Sequence, residues 1–258
     1  MTANSRRSIL VTNDDGIHSP ALTALAEALA PLGKVTTAAP LREMSASSRS
    51  ISLFRPVRFE TFGPHRYGID GTPVDAVIVA LNRLLEETPS LVVSGINLGA
   101  NLGLNVFYSG TVGAALEGTL HGIASFAISI SSKKETPLGP AAAFAAELAK
   151  CILERGLPPG VSLNVNVPAD WNNGVRLTRL AHREARRLKL DPENSSDPNS
   201  FAIREEIDSG QLAADSDYRA VREGCVSITP LAMECADFAS LAWLEGWIQN
   251  GANITDRA

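Results

Sequence analysis

Asp14 and Asp15 stand side by side in Ser8-Ile9-Leu10-Val11-Thr12-Asn13-Asp14-Asp15-Gly16-Ile17-His18-Ser19-Pro20, between an apolar run and a glycine. Ile9, Leu10 and Val11 without polar alternation suit a strand covered on both faces, and Gly16 permits a sharp turn. A carboxylate pair at the carboxyl end of such a strand lies where open α/β sheets bind ligands. Asn, Asp and Gly are also ordinary turn residues, so this stretch alone reads equally as a solvated turn. Arg42-Glu43-Met44-Ser45-Ala46-Ser47-Ser48-Arg49-Ser50, after the second strand, is rich in hydroxyls, although serine-rich loops are commonly only loops. Gly95-Ile96-Asn97-Leu98-Gly99-Ala100-Asn101-Leu102-Gly103 fits neither the dinucleotide fingerprint nor a P-loop, and it exposes backbone with the amides of Asn97 and Asn101.

Two carboxylates, a hydroxyl near Ser45 and the Asn97 amide oxygen, converging at one sheet edge, would make an all-oxygen site suited to Mg²⁺ or Mn²⁺. Tyr108-Ser109-Gly110-Thr111-Val112-Gly113 opens a helix whose free N–H groups favour an anion; Ser109 or Thr111 can equally be no more than an N-cap. A metal beside an anion cradle points to metal-assisted hydrolysis of a phosphate ester, with a water activated for in-line attack. Phosphatases with an aspartyl nucleophile usually carry Asp-x-Asp and a supporting Lys, whereas here the two aspartates are adjacent. His18, His65, His121 and His182 lack ligand-type spacing, which argues against zinc; His18 either meets substrate or simply packs.

The elements that must position these residues follow a β-α-β order. Ser19 is expected to cap a helix that begins at Pro20 and carries Leu22, Leu25, Ala26, Leu29 and Leu32 to Gly33. Val35–Ala39 is the next strand, in parallel. Ile51–Phe54, Val57–Thr61 and Tyr67–Ile69 are expected as short antiparallel strands. Thr72-Pro73-Val74-Asp75 starts the second helix, where Asp75 suits the first turn. Leu91–Ser94 and Ala127–Ser131 are buried strands, Pro140–Arg155 an amphipathic helix, and Ser162–Val167 and Val175–Leu180 further strands. From His182 to Arg219 the pattern dissolves into polar residues around a strand-like Ser200–Ile207, giving an arm or hairpin expected to pack on a partner. Residues 220–258 supply a strand, Cys225–Leu231, and a closing helix, Asp237–Gln249, with Phe238, Leu241, Leu244 and Ile248 inward. Trp243 and Trp247, four apart, suit core or interface packing. The expected architecture is a single α/β domain over residues 1–258, a mostly parallel sheet with helices on both faces.

A chain of 258 residues can bury a full core. Its net charge of −5, with Lys and Arg scattered, excludes a binder of long polynucleotide, which needs a basic stripe. Cys151, Cys225 and Cys235 make no metal-type pair, and an odd number suits a reducing, cytoplasmic setting. No stretch approaches the ~20 apolar residues of a membrane span.

Taken in order, these motifs resemble the SurE family of survival-protein nucleotidases. The resemblance rests on Asn13-Asp14-Asp15-Gly16, Ser45 after Ala39-Pro40, Gly71-Thr72-Pro73-Val74-Asp75, Val92-Val93-Ser94-Gly95-Ile96-Asn97, Asn101-Leu102-Gly103, Tyr108-Ser109-Gly110-Thr111-Val112 and Val226-Ser227-Ile228-Thr229-Pro230-Leu231. It implies a phosphatase of nucleoside 5'- and possibly 3'-monophosphates, also acting on short polyphosphate, with one divalent ion per subunit. It further implies metal ligands Asp14, Asp15, Ser45 and Asn97, with the two aspartates catalytic, and phosphate contacts at Asn13, Asn101, Ser109, Gly110 and Thr111. The fold it implies is a Rossmann-like α/β domain whose C-terminal extension would swap between subunits of a homodimer or homotetramer. The chain departs from the family pattern at Leu104-Asn105, where an acidic residue is usual, at Ser45-Ala46-Ser47 against Ser-Gly-Ala, and at Asp215-Ser216-Asp217 against Asp-Thr-Asp. The rival reading is a non-catalytic nucleotide-binding or scaffold protein, which would be expected to have lost a carboxylate at 14 or 15.

Overall fold

Ile9, Leu10 and Val11 are wholly buried in β1 (Ser8–Thr12), because that strand lies in the middle of the sheet with helices on both faces. In the computed structural model, residues 7–131, 136–172, 174–182, 186–192, 200–208, 210 and 212–249 are described. β1 pairs in parallel with β2 (Lys34–Pro40) on one side and β5 (Leu91–Leu98) on the other. Beyond β2, β4 (Arg66–Ile69) is parallel and β3 (Phe59–Thr61) runs antiparallel at the edge. Beyond β5 come the parallel strands β6 (Ser125–Ser131) and β7 (Val161–Pro168), then β11 (Cys225–Ala232), antiparallel to β7, with β8 (Gly174–Leu177) parallel to β11 at the far edge. The nine-stranded order is β3-β4-β2-β1-β5-β6-β7-β11-β8. β9 (Arg186–Pro192) and β10 (Phe201–Ile207) form a separate antiparallel pair.

Successive strand residues point to opposite faces, and the core divides accordingly. Ile9, Val11, Val93, Phe126 and Val165 meet α1 (Pro20–Leu29) and α4 (Gly139–Arg155) through Leu22, Leu25, Ala145, Ala149 and Ile152. Leu10, Ala38 and Val92 meet α2 (Pro73–Val79) and α3 (Gly110–Leu120) through Val77 and Ala114. All of these parallel strands end towards the same edge, where the chain turns back into helices or loops. α5 (Asp217–Arg222) precedes β11, and α6 (Leu241–Gln249) follows it.

Several local expectations are corrected. Residues 51–54 form turns rather than a strand, with Leu53 and Phe54 in solvent, so the antiparallel unit shrinks to β3 and β4. Apolar alternation alone misled there, since no sheet neighbour covers those side chains. Ser19 occupies the N-cap position of α1 without a capping bond from its side chain, and Pro20 sits in the first turn as expected. Val175–Leu180 contracts to β8, α5 emerges inside what reads as polar arm, and the closing helix begins as a 3-10 turn at Phe238–Ser240. Trp243 and Trp247 meet edge to face with ring centroids 4.4 Å apart and remain exposed, as does Phe238. The side chain of Ile248 and residues 183–185 and 193–199 of the arm lie outside what is described.

Candidate active site

The turn after β1 is built by Asn13. Its wholly buried side chain donates to the Gly16 carbonyl at 3.2 Å and accepts the Gly16 N–H at 3.1 Å, closing a loop in which Gly16 takes φ +98°. Asn13, expected on the phosphate, therefore spends its amide on the turn. The turn carries Asp14 and Asp15 to the rim of a cleft of about 280 Å³, which Ser45, Asn97, Asn101 and Ser109 also line.

Asp14 is almost fully buried, and the start of α3 packs onto it. The Thr111 hydroxyl donates to Asp14 Oδ1, and the Thr111 backbone N–H adds a second bond. Burial pushes the Asp14 carboxyl up, and these bonds oppose the rise. Gly110 is required by the same approach: a Cβ there would lie 2.9 Å from the Asp14 Cβ and 2.5 Å from Ser47 Oγ. Thr111 and Gly110 are thus turned towards Asp14, which takes the anion position expected for phosphate at this helix start. Ser109 caps α3, its Oγ accepting the Val112 N–H at 3.1 Å, while the residue still lines the cleft.

Asp15 is pushed up to about 6 by burial, then by the charges of Asp14 and Glu43, against a backbone N–H from Leu98. Its Oδ2 is buried and has no hydrogen-bond partner in the protein. An orphaned carboxylate oxygen beside a second carboxylate is an arrangement a cation would complete. Ser45 lines the same cleft, with its hydroxyl donated to Glu43 Oε1 at 2.7 Å. Asn97 donates its NH₂ to the Gly99 carbonyl at 2.6 Å, leaving the amide oxygen as its remaining polar atom. Among the described residues there is no cluster of three His, Cys, Asp or Glu side chains able to hold a metal, so a cation here would rely on mixed carboxylate, amide and hydroxyl oxygens.

Asn97 reaches the rim through a distortion of β5. The strand continues past Ser94, and its register against β6 slips between Ser94 and Asn97. Gly95 makes this possible: its φ is +143°, and a Cβ there would strike the Ile128 carbonyl oxygen. Asn101 is anchored from β7. Its N–H donates to Asn166 Oδ1 at 2.8 Å, and its carbonyl accepts from the amides of Asn164 and Asn166. Asp75 completes a capping box with Thr72 and also accepts both the N–H and the hydroxyl of Ser52, which ties down the far end of the serine-rich loop.

His18 packs edge-on against Phe62, with ring centroids 4.8 Å apart, and is not among the residues lining the cleft. Sequence reasoning missed Glu43, Leu98, Asn105 and Tyr108, all of which line it. Glu43 could have been noticed two places before Ser45. Asn105 stands out in the sequence only as a departure from the family pattern and Tyr108 only as part of a motif; Leu98 gave no signal, because a loop residue's facing depends on the turn that carries it.

Comparison with known proteins agrees with this geometry. The profile of the family described as Survival protein SurE matches residues 9–187. The chain is 42% identical over 247 residues to the 5'-nucleotidase SurE of Geobacter sulfurreducens, covering 93% of each protein. It is 40% identical over 254 residues to the 5'-nucleotidase SurE of Myxococcus xanthus, covering 97% of each. The crystal structure of the SurE protein from Aquifex aeolicus superposes with a TM-score of 0.85 at 33% identity, over 93% of this chain and 99% of that one. Similarity of this extent in both sequence and fold places the chain in the SurE family.

Proposed function

We propose that the protein is a divalent-metal-dependent 5'-nucleotidase that hydrolyses nucleoside 5'-monophosphates, and by extension 3'-monophosphates and short polyphosphate, to release phosphate. The observation that carries this reading is the buried, unpartnered Asp15 Oδ2 beside Asp14 in a cleft that Ser45, Asn97 and the start of α3 also line. Relatives named 5'-nucleotidase over nearly their whole length support it.

Asp14, Asp15, Ser45 and Asn97 would hold one Mg²⁺ or Mn²⁺ per subunit, a hard ion suited to an all-oxygen donor set. Such an ion, when bound, polarises a phosphoryl oxygen and yields a nucleophilic water at neutral pH. Thr111 fixes the orientation of Asp14, and the positive end of α3 favours negative charge at this rim. Asn101, whose NH₂ is donated to Ser129 Oγ at 2.9 Å, and Ser109 line the same cleft and would meet the phosphate, whereas Thr111, Gly110 and Asn13 act by holding the turn and Asp14. A non-catalytic binder would have no need of an orphaned carboxylate oxygen, and this favours the enzyme. The three cysteines are free, as a reducing cytoplasm would keep them. Among the described residues, no helix is long and apolar enough to cross a membrane.

Phosphate release should be measured from nucleoside 5'- and 3'-monophosphates, tripolyphosphate and long single-stranded DNA, with Mn²⁺, Mg²⁺ or chelator. Metal-dependent release from the monophosphates, with long strands hardly cleaved for want of a basic stripe, is the expected result. Turnover undiminished by chelator, or processive degradation of long strands, would refute the reading.

A further inference from the structure

One wall of the cleft, Asn101–Ser109, has fixed points that come from much later in the chain. Asp217, wholly buried at the start of α5, accepts the Gly103 N–H at 2.7 Å on Oδ2 and the Ala181 N–H at 3.0 Å on Oδ1. Gly103 opens the 3-10 turn Gly103–Phe107, whose Asn105 carbonyl accepts the N–H groups of Tyr108 and Ser109 at 3.0 and 3.1 Å. Within that turn, the Asn105 amide donates to Oε2 of Glu205 on β10 at 2.8 Å, and Glu205 Oε1 accepts from the Tyr218 hydroxyl at 3.3 Å. The wall is therefore held at its first residue from the root of the arm and at its middle from the arm hairpin. An acidic residue at position 105 would face the Glu205 carboxylate and be repelled; the amide makes the tie possible.

A carboxylate that only began α5 would have its oxygens on the N–H groups of that helix. Asp217 does accept the Tyr218 N–H of α5 on Oδ1 at 2.8 Å, but it also reaches residues 114 and 36 positions away, among them the loop between Asn101 and Ser109. We propose that Asp217 and Glu205 are positioning residues of the substrate wall. They hold Gly103–Ser109 so that Asn101, Asn105 and Ser109 stand where a substrate phosphate and sugar meet them, while neither bonds to any of the four proposed metal donors. This assignment rests on the phosphomonoesterase reading of the cleft.

Glu205→Ala, Glu205→Gln and Asp217→Asn separate positioning from bulk stability. Asp217→Asn can keep an acceptor for Ala181 but then turns an NH₂ towards the Gly103 N–H. For Glu205→Ala and Asp217→Asn, KM for a nucleoside 5'-monophosphate should rise roughly three- to tenfold with kcat within about twofold of wild type. Amide exchange over Gly103–Ser109 should quicken, and the rise in melting temperature on adding Mn²⁺ should be unchanged. Glu205→Gln, which retains an acceptor for Asn105, should restore both KM and exchange. Wild-type KM and wild-type exchange in Glu205→Ala would overturn the proposal; Glu205 is exposed, so this variant decides the matter even where Asp217→Asn fails to fold. If wild type releases no phosphate with either metal, the reading of the cleft fails, and the exchange of Gly103–Ser109 alone then tests the positioning role.

Discussion

Asp15 concentrates the electrostatic cost of the site in one side chain. It is lifted from 3.8 to about 6 by burial first and by its acidic neighbours second, and its Oδ2 finds no donor in the protein. A carboxyl whose folded-state pKa lies above its unfolded value binds its proton more tightly when folded, so its contribution to stability is fully present below 3.8 and is lost as pH rises through about 6. Metal-free wild type should therefore melt lower than metal-free Asp15→Asn at neutral pH, by roughly 2–4 °C once solvent screening is allowed for, and the gap should close as pH falls below 3.8. Melting curves in chelator across that window check the sign. Asp15→Asn should also lose most turnover and the Mn²⁺-induced rise in melting temperature, an increment that grows as RT ln(1 + [L]/Kd). If the variant melts below wild type at neutral pH, Asp15 is a structural turn residue and no metal ligand.

Among the elements, β5 is the one whose irregularity matters most. Gly95→Ala would place a Cβ against the Ile128 carbonyl oxygen at a φ of +143°. It should cost about 3 kcal/mol or more in denaturant unfolding and abolish the Mn²⁺ increment, since Asn97 is delivered by the same distortion. An Ala variant as stable as wild type would mean that the strand can straighten without loss. The strand-helix alternation and the acidic turn were legible in the sequence because burial on both faces leaves uninterrupted apolar runs such as Ile9-Leu10-Val11 and Leu91-Val92-Val93. The bulge was not legible, since a glycine after a strand reads equally as a strand's end. The same limit applies to Thr111: its hydroxyl next to a helix start suits a cap as well as a ligand, and only the packing of α3 onto β5 and β6 turned it to Asp14. The apolar residues at 51–54 misled for the opposite reason, having the pattern of a strand and no neighbour to pair with.

For the whole molecule, the arm is the feature that the isolated chain leaves incomplete. A two-stranded hairpin is marginal in water by itself, and β9–β10 displays Leu188, Leu190, Phe201 and Ile203 to solvent while α6 displays Trp243 and Trp247. Deleting residues 186–207 should lower the mass measured by light scattering from that of a dimer or tetramer, with the Mn²⁺ increment in melting temperature retained. An unchanged mass would remove the arm from the assembly. The anchoring of the cleft also bears on biosynthesis. Asp14, Asp15, Ser45 and Asn97 belong to β1, β2, β5 and the loops they carry, all of which leave the ribosome early, whereas Asn101 waits for Asn164 and Asn166, up to 65 residues later, and Gly103 waits for Asp217, 114 residues later. On the proposed assignment, vectorial synthesis makes the residues for a cation before those that anchor the substrate contacts. On that assignment, a nascent chain stalled between those points would compete for metal before it could turn over phosphate esters.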